Sequence, residues 1–212
     1  MRALVSRIAK RWILRLQRDR EVARFEGIIL ADFHVSGWRA RLRLGASSRI
    51  AERRTPHFRE IILASLELLK RSEPRLFARV KRHIAWIVNT TLSHGGAEYD
   101  YGIRTCSIDF QEPGPQFDSP YLIAWYACTL VHEATHGVIR ARGIRYSAEL
   151  RDRIERLCVL EEQRFVRRLS AEDPALAARI PCEFNASDWH GRWSATRFEC
   201  FRLSIARLFH RE

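Results

Sequence analysis

Residues 120–142, PYLIAWYACTLVHEATHGVIRAR, hold no internal proline and one internal glycine, and they are apolar nearly all round before the motif VHEATHG. Ser119 is placed to cap a helix, Pro120 to occupy its first position, and Gly143 to end it. A helix apolar on every side belongs in an interior. Two histidines and a glutamate on such a helix are costly unless something satisfies them. His132 and His136 stand four apart, which puts their Cβ atoms about 5–6 Å from each other on one face. Imidazoles at that spacing can converge on one Zn²⁺ at about 2.0–2.1 Å each. Glu133 is turned by about 100° from His132, beside the site but free of it, where it can take a proton from an attacking water. The plainer alternative is that both histidines make interior hydrogen bonds and Glu133 pairs with an arginine.

The motif His132-Glu133-Ala134-Thr135-His136 resembles the zincin metallopeptidases, whose mark is HExxH. The metzincin branch has Gly at position 139 and His at 142; this chain has Ile139 and Arg142. What remains is similar to the gluzincin branch, in which a second helix returns a glutamate as third ligand. The resemblance implies an α+β, mainly α, zincin-like fold, with a small sheet beside the HExxH helix and an antiparallel helix after it. It implies a zinc-dependent peptidase in which Glu133 activates a zinc-bound water. It also implies a strand along the cleft that holds an extended peptide, here expected at residues 103–110.

Helical-hairpin geometry singles out Glu155 as third ligand. A turn centred near Ile144 and Arg145 mirrors the midpoint of the two histidines onto position 155. Glu162 would sit about 10 Å further along, on the same face, and suits a partner behind a ligand or a buried ion pair. Glu161 points into the apolar stripe; His190 is the remaining alternative. The plainer alternative is that all three carboxylates only pair with nearby arginines on a charge-rich helix. Cys158 is a soft donor able to compete for zinc, although packing is its plainer use. Asp188 and His190, flanked by Trp189 and Trp193, form a second polar group in a loop. Tyr99, Tyr101 and Tyr146 are oxyanion donors that no spacing separates. His34, His57, His83, His94 and His210 lack a partner pattern.

The chain has 212 residues, 46% of them apolar, enough for one core. Residues 1–25 are expected as a basic amphipathic helix, with Leu4, Ile8, Trp12, Leu16 and Val22 to one side, ahead of a single domain over 26–212. That helix is the candidate for peripheral contact with a membrane surface. The net charge of +12 rests almost wholly on arginine. The arginines are spread along the chain with no nucleic-acid motif, so specific nucleic-acid recognition is not expected. Five cysteines without a CxxC fit a reducing, cytoplasmic setting. No run is long and apolar enough for a signal peptide core or a membrane span. Two readings rival the peptidase. One is a non-catalytic zinc-stabilised domain; the other is a basic binder of nucleic acid or membrane with an accidental HExxH.

The rest of the pattern supplies the frame. Residues 27–44 read as a strand or hairpin. Thr55-Pro56 opens a helix to about 71, and Pro74 another to about 82. Residues 83–90 and 103–110 read as strands, with 93–102 a glycine-paired loop between them. Ser147 is expected to cap a helix over 147–169, followed by a short helix in 171–180, a loop over 181–193 and a closing helix over 194–210.

Overall fold

The computed structural model describes residues 13–15, 17–33, 48–90, 92, 96–115 and 117–185, with the backbone alone over 48–55. Five strands form one mixed sheet: β1 (Glu21–Phe25), β2 (Ile28–Asp32), β3 (Trp86–Asn89), β4 (Ala97–Asp100) and β5 (Thr105–Ile108). Among the described residues the helices that accompany them are α1 (Ser48–Ser72), α2 (Pro74–His83), α3 (Ser119–Ala141), α4 (Arg151–Ser170) and α5 (Pro174–Arg179), beyond the helical residues at 13–15 and 17–18. The class is α+β, mainly helical. Among the described residues no helix is long and apolar enough to cross a membrane.

The sheet order is β1-β2-β3-β5-β4. β1 and β2 form a tight antiparallel hairpin through Glu26 (φ 48°) and Gly27 (φ 91°), the two left-handed positions that a two-residue turn needs. β2, β3 and β5 run parallel, and β4 returns antiparallel along β5. Alternation divides the sheet cleanly. Ile28, Leu30, Ile87, Cys106 and Ile108 face the main core, while Ala31, Trp86 and Val88 form a smaller cluster on the other face. On the core face lie Phe58, Ile62, Leu66 and Leu69 of α1 and Leu76 and Val80 of α2, all buried. α3 threads this layer and is buried along nearly its whole length, as its apolar circumference demands.

Several sequence expectations give way here. Residues 21–25, read as the end of the N-terminal helix, are strand β1. Just before it, buried Gln17 donates from Nε2 to Thr105 Oγ1 at 3.1 Å and ties this segment to β5. α1 starts at Ser48, not at Thr55, and runs through Pro56. That proline is exposed, so water can take up the carbonyl its missing N–H leaves unpaired. Within the expected loop 93–102 lies β4, whose Glu98 and Asp100 face outward while Ala97 and Tyr99 face inward. Charges on a short edge strand are ordinary protection against pairing with another chain. β5 is an interior strand, so among the described residues the edge strand beside α3 is β4 and not 103–110. α3 is capped by Asp118, whose side chain accepts from the Tyr121 N–H at 2.8 Å, rather than by Ser119. α4 starts at Arg151; Ser147 instead accepts, through its carbonyl, from the Leu150 N–H at 3.2 Å. The expected strand at 38–44, the helix 194–210, His34, His94, Asp188, Trp189, His190, Trp193, Cys200, His210 and most of the N-terminal helix lie outside the described residues.

Candidate functional site

The HExxH motif lies in the buried middle of α3, with His132 and Glu133 buried and His136 half-buried. Gly137 follows because nothing larger fits. A Cβ there would lie 2.7 Å from His83 Cβ and 3.0 Å from the Tyr99 hydroxyl, so the bare backbone lets the end of α2 and the strand β4 close against the motif.

α4 packs antiparallel to α3 and brings its acids to the histidines. His132 Nε2 lies 3.1 Å from Glu155 Oε2, and His136 Nε2 lies 3.7 Å from Glu155 Oε1. The other nitrogen of His132, Nδ1, contacts Glu162 Oε1. Tyr146, in the connection between the helices, donates its hydroxyl to Glu155 Oε1 at 2.6 Å. Glu155 is 1% exposed, so its carboxylate is satisfied only by these groups and not by solvent. Cys158, one turn along α4, is fully buried. His132, His136 and Cys158 form a group able to hold a metal ion, their donor atoms lying within 4.8 Å of one another.

The donor geometry can also be compared with that of a tetrahedral metal site. Two ligands at about 2.0–2.1 Å in tetrahedral array stand about 3.3 Å apart, and the two Glu155–histidine separations bracket that figure. Where a histidine binds a metal, a carboxylate on its other nitrogen fixes the tautomer and raises its basicity; Glu162 contacts Nδ1 of His132.

Electrostatics separate the roles. Burial pushes the Glu133 carboxyl up to about 7; the charge of His132 opposes this, and Glu155 and Glu162 reinforce it. Burial brings His136 down to about 4, helped by the charge on His132 and countered by Glu155. Burial also opposes a charge on His132, but hydrogen bonds to Glu155 and Glu162 outweigh it and hold His132 well above its ordinary value. Burial pushes Glu155 up, yet its contacts with His132, His136 and Tyr146 outweigh this and hold it below the usual range. The Cys158 thiol is driven well up by burial and by the charge of Glu155.

The motif forms the floor of a cleft of about 1160 Å³. β4 makes one wall; α4, the 144–146 connection and residues 180–183 after α5 make the other. Of the sequence candidates, His132, Glu133, His136 and Glu155 come together, with Glu162 behind His132. Glu161 turns instead to Arg79, 2.7 Å from its Nη1. Tyr99 spends its hydroxyl on the carbonyl of His83 at 2.6 Å. Tyr101 is exposed at the rim, and His57 pairs with Glu112 at 2.6 Å. The role of Tyr146 on Glu155 had no signal in the sequence beyond its place in the connection. Compared with known proteins, the chain matches no family model, no curated protein sequence and no solved structure.

Proposed function

We propose that the chain is a zinc-dependent peptidase of gluzincin-like construction. One observation carries the reading: both histidine Nε2 atoms meet the Glu155 carboxylate on the floor of an open cleft, with Glu133 beside them and attached to none of them. His132, His136 and Glu155 would hold the metal. Zinc bound there supplies Lewis acidity, lowering the pKa of water and polarising a carbonyl. The chain's own residues do the rest. Glu133 accepts a proton from the attacking water and returns one to the leaving amide nitrogen. Tyr146 positions Glu155, and Glu162 positions His132. The edge of β4 offers backbone hydrogen bonds to an extended peptide lying along the cleft.

Cys158 supports a second reading, a non-catalytic zinc-stabilised domain. If its thiolate joined His132, His136 and Glu155, four protein ligands would close the site, as structural zinc sites are closed. Elemental analysis of the purified chain, together with cleavage of a peptide mixture before and after chelation, decides between the two. Zinc with chelator-sensitive cleavage is expected. Zinc without cleavage of any peptide supports the structural reading, and no zinc even after its addition rejects both.

A further inference from the structure

The cleft is chemically lopsided along α3. Towards the helix start, Phe117 stacks on Tyr121 with centroids 5.3 Å apart, and Tyr121 lies against Trp125 at 5.9 Å. Phe117 and Trp125 are 41% and 39% exposed, and all three rings line the cleft. Such a shelf holds apolar side chains, since aromatic surfaces gain most when desolvated. Beyond His136, one turn on, comes Arg140. Its guanidinium lies 5.3 Å from the centre of the Tyr101 ring, which fixes its position without neutralising it. Arg145 lines the same end. Neither arginine is ion-paired to a carboxylate among the described residues, and what sets them apart is their place in the cleft lining. These two are the only arginines, and there is no lysine, lining the cleft among the described residues; away from the His132–His136 floor its other ionisable walls include the acids Glu98, Asp109 and Glu183.

We propose that the Arg140–Arg145 end of the cleft receives a carboxylate of the bound peptide, while the Phe117–Tyr121–Trp125 shelf receives an apolar side chain of the same peptide. The inference rests on the peptidase reading for what occupies the cleft. Guanidinium groups match carboxylates in geometry and charge, and two arginines lining one end of a groove whose other walls carry acids select where that carboxylate sits. A polyanion would meet repulsion along the remaining length, so a nucleic acid is a poor occupant. Trp125 and Arg140 are separated by about 22 Å of helix, the span of about seven residues of extended peptide. The carboxylate can be an acidic side chain or the peptide's own C-terminus; both present the same group.

Fluorescently labelled octapeptides test this, with Phe near one end and Glu or Gln six residues away, in both chain orders and with free or amidated C-termini. Binding is measured by anisotropy on the full chain carrying Glu133→Gln, so that peptide is not consumed. The same titrations on the metal-free wild-type chain guard against a folding defect in that variant. In at least one chain order, a peptide with a carboxylate at the far end should bind about three- to tenfold more tightly than its neutral match at low salt, with the advantage lost on Arg140→Gln/Arg145→Gln. Trp125→Ala should weaken all the Phe peptides alike. A Glu/Gln difference with amidated ends assigns the site to a side chain; a free-acid/amide difference with Gln assigns it to the C-terminus. The proposal is overturned if neither carboxylate improves binding, if the advantage survives the double arginine variant, or if a single-stranded oligonucleotide displaces the peptides at lower concentration than they bind. Peptides that bind with this selectivity yet are never cleaved by the zinc-loaded wild type would reject the peptidase reading and leave the carboxylate site standing.

Discussion

Glu155 and Glu162, two turns apart on α4, hold opposite nitrogens of one imidazole: Glu155 contacts His132 Nε2 and Glu162 contacts Nδ1. The ring is thereby fixed in plane and held protonated, a donor to both carboxylates. One carboxylate stands where a ligand would stand, and the other stands behind it.

This division predicts unequal losses of zinc. Glu155→Ala and His132→Ala should each abolish tight binding, while Glu162→Gln should weaken it about 10–100-fold by loosening the ring. Cys158→Ala should leave zinc in place and cost about 1 kcal/mol of stability or somewhat more, because it empties a small buried volume. Competition titrations with a chromogenic chelator measure all four. Zinc lost with Cys158→Ala but kept with Glu155→Ala would reverse the ligand assignment.

Glu133 makes no contact that holds a metal, so Glu133→Gln should keep zinc and fold while hydrolysis falls by about 10²- to 10⁴-fold. The rate is read on any peptide the wild-type chain cleaves, with the metal content of both proteins measured alongside. Equal rates would remove Glu133 from the chemistry.

Gly137→Ala should destabilise the chain by about 1–3 kcal/mol, the usual cost of overpacking. The new methyl must displace the end of α2 at His83 or the Tyr99 hydroxyl, and the 2.7 Å approach to His83 Cβ leaves no slack. Thermal melting measures the loss. A variant as stable as the wild type would mean that α2 yields freely, and the close approach would then matter little to the fold.

Acid stability should respond to Glu26 in the β1–β2 turn. Its carboxylate pairs with Lys81 at 2.8 Å and Lys70 at 2.9 Å, whose hydrogen bonds and charges lower it from 4.5 to about 2. A lowered folded-state value means that the contribution is complete above pH 4.5 and is lost as pH falls towards 2. Glu26→Gln should therefore narrow the gap between melting temperatures at pH 6 and pH 2, and added salt should do the same in the wild type, because the pair is exposed. An unchanged pH profile in the variant would show that the pairing contributes nothing.

The α3 motif was legible because its periodicity, its apolar flanks and the spacing of its histidines all agree. Glu155 and Glu162 were legible because two antiparallel helices leave few positions facing His132. The turn itself was misplaced: Ser147 resembles a helix cap, but α4 waits until Arg151 and the connection centres on Tyr146. Mirroring about Tyr146 lands on Cys158, so the expected position of Glu155 owed something to the length of its side chain. β4 was hidden because AEYD, next to glycines and carrying two acids, has the composition of a loop; only its pairing with β5 makes it a strand. Pro56 hid the first turns of α1, since proline marks a helix start far more often than an interior. Tyr146 could not be told from Tyr99 and Tyr101 without knowing which hydroxyl was already taken.

Every group proposed to handle the metal falls between His132 and Glu162, inside a single helical hairpin. Contacts so close in sequence form quickly, whereas the parallel pairing of β2, β3 and β5 must wait for distant segments to meet. Under the proposed metal-bound reading, the hairpin would be able to capture an ion while the sheet is still assembling, and an ion held there would bias α3 and α4 towards their native crossing before β4 arrives to complete the cleft. On this account metal availability acts on the rate at which the chain matures as well as on the finished protein.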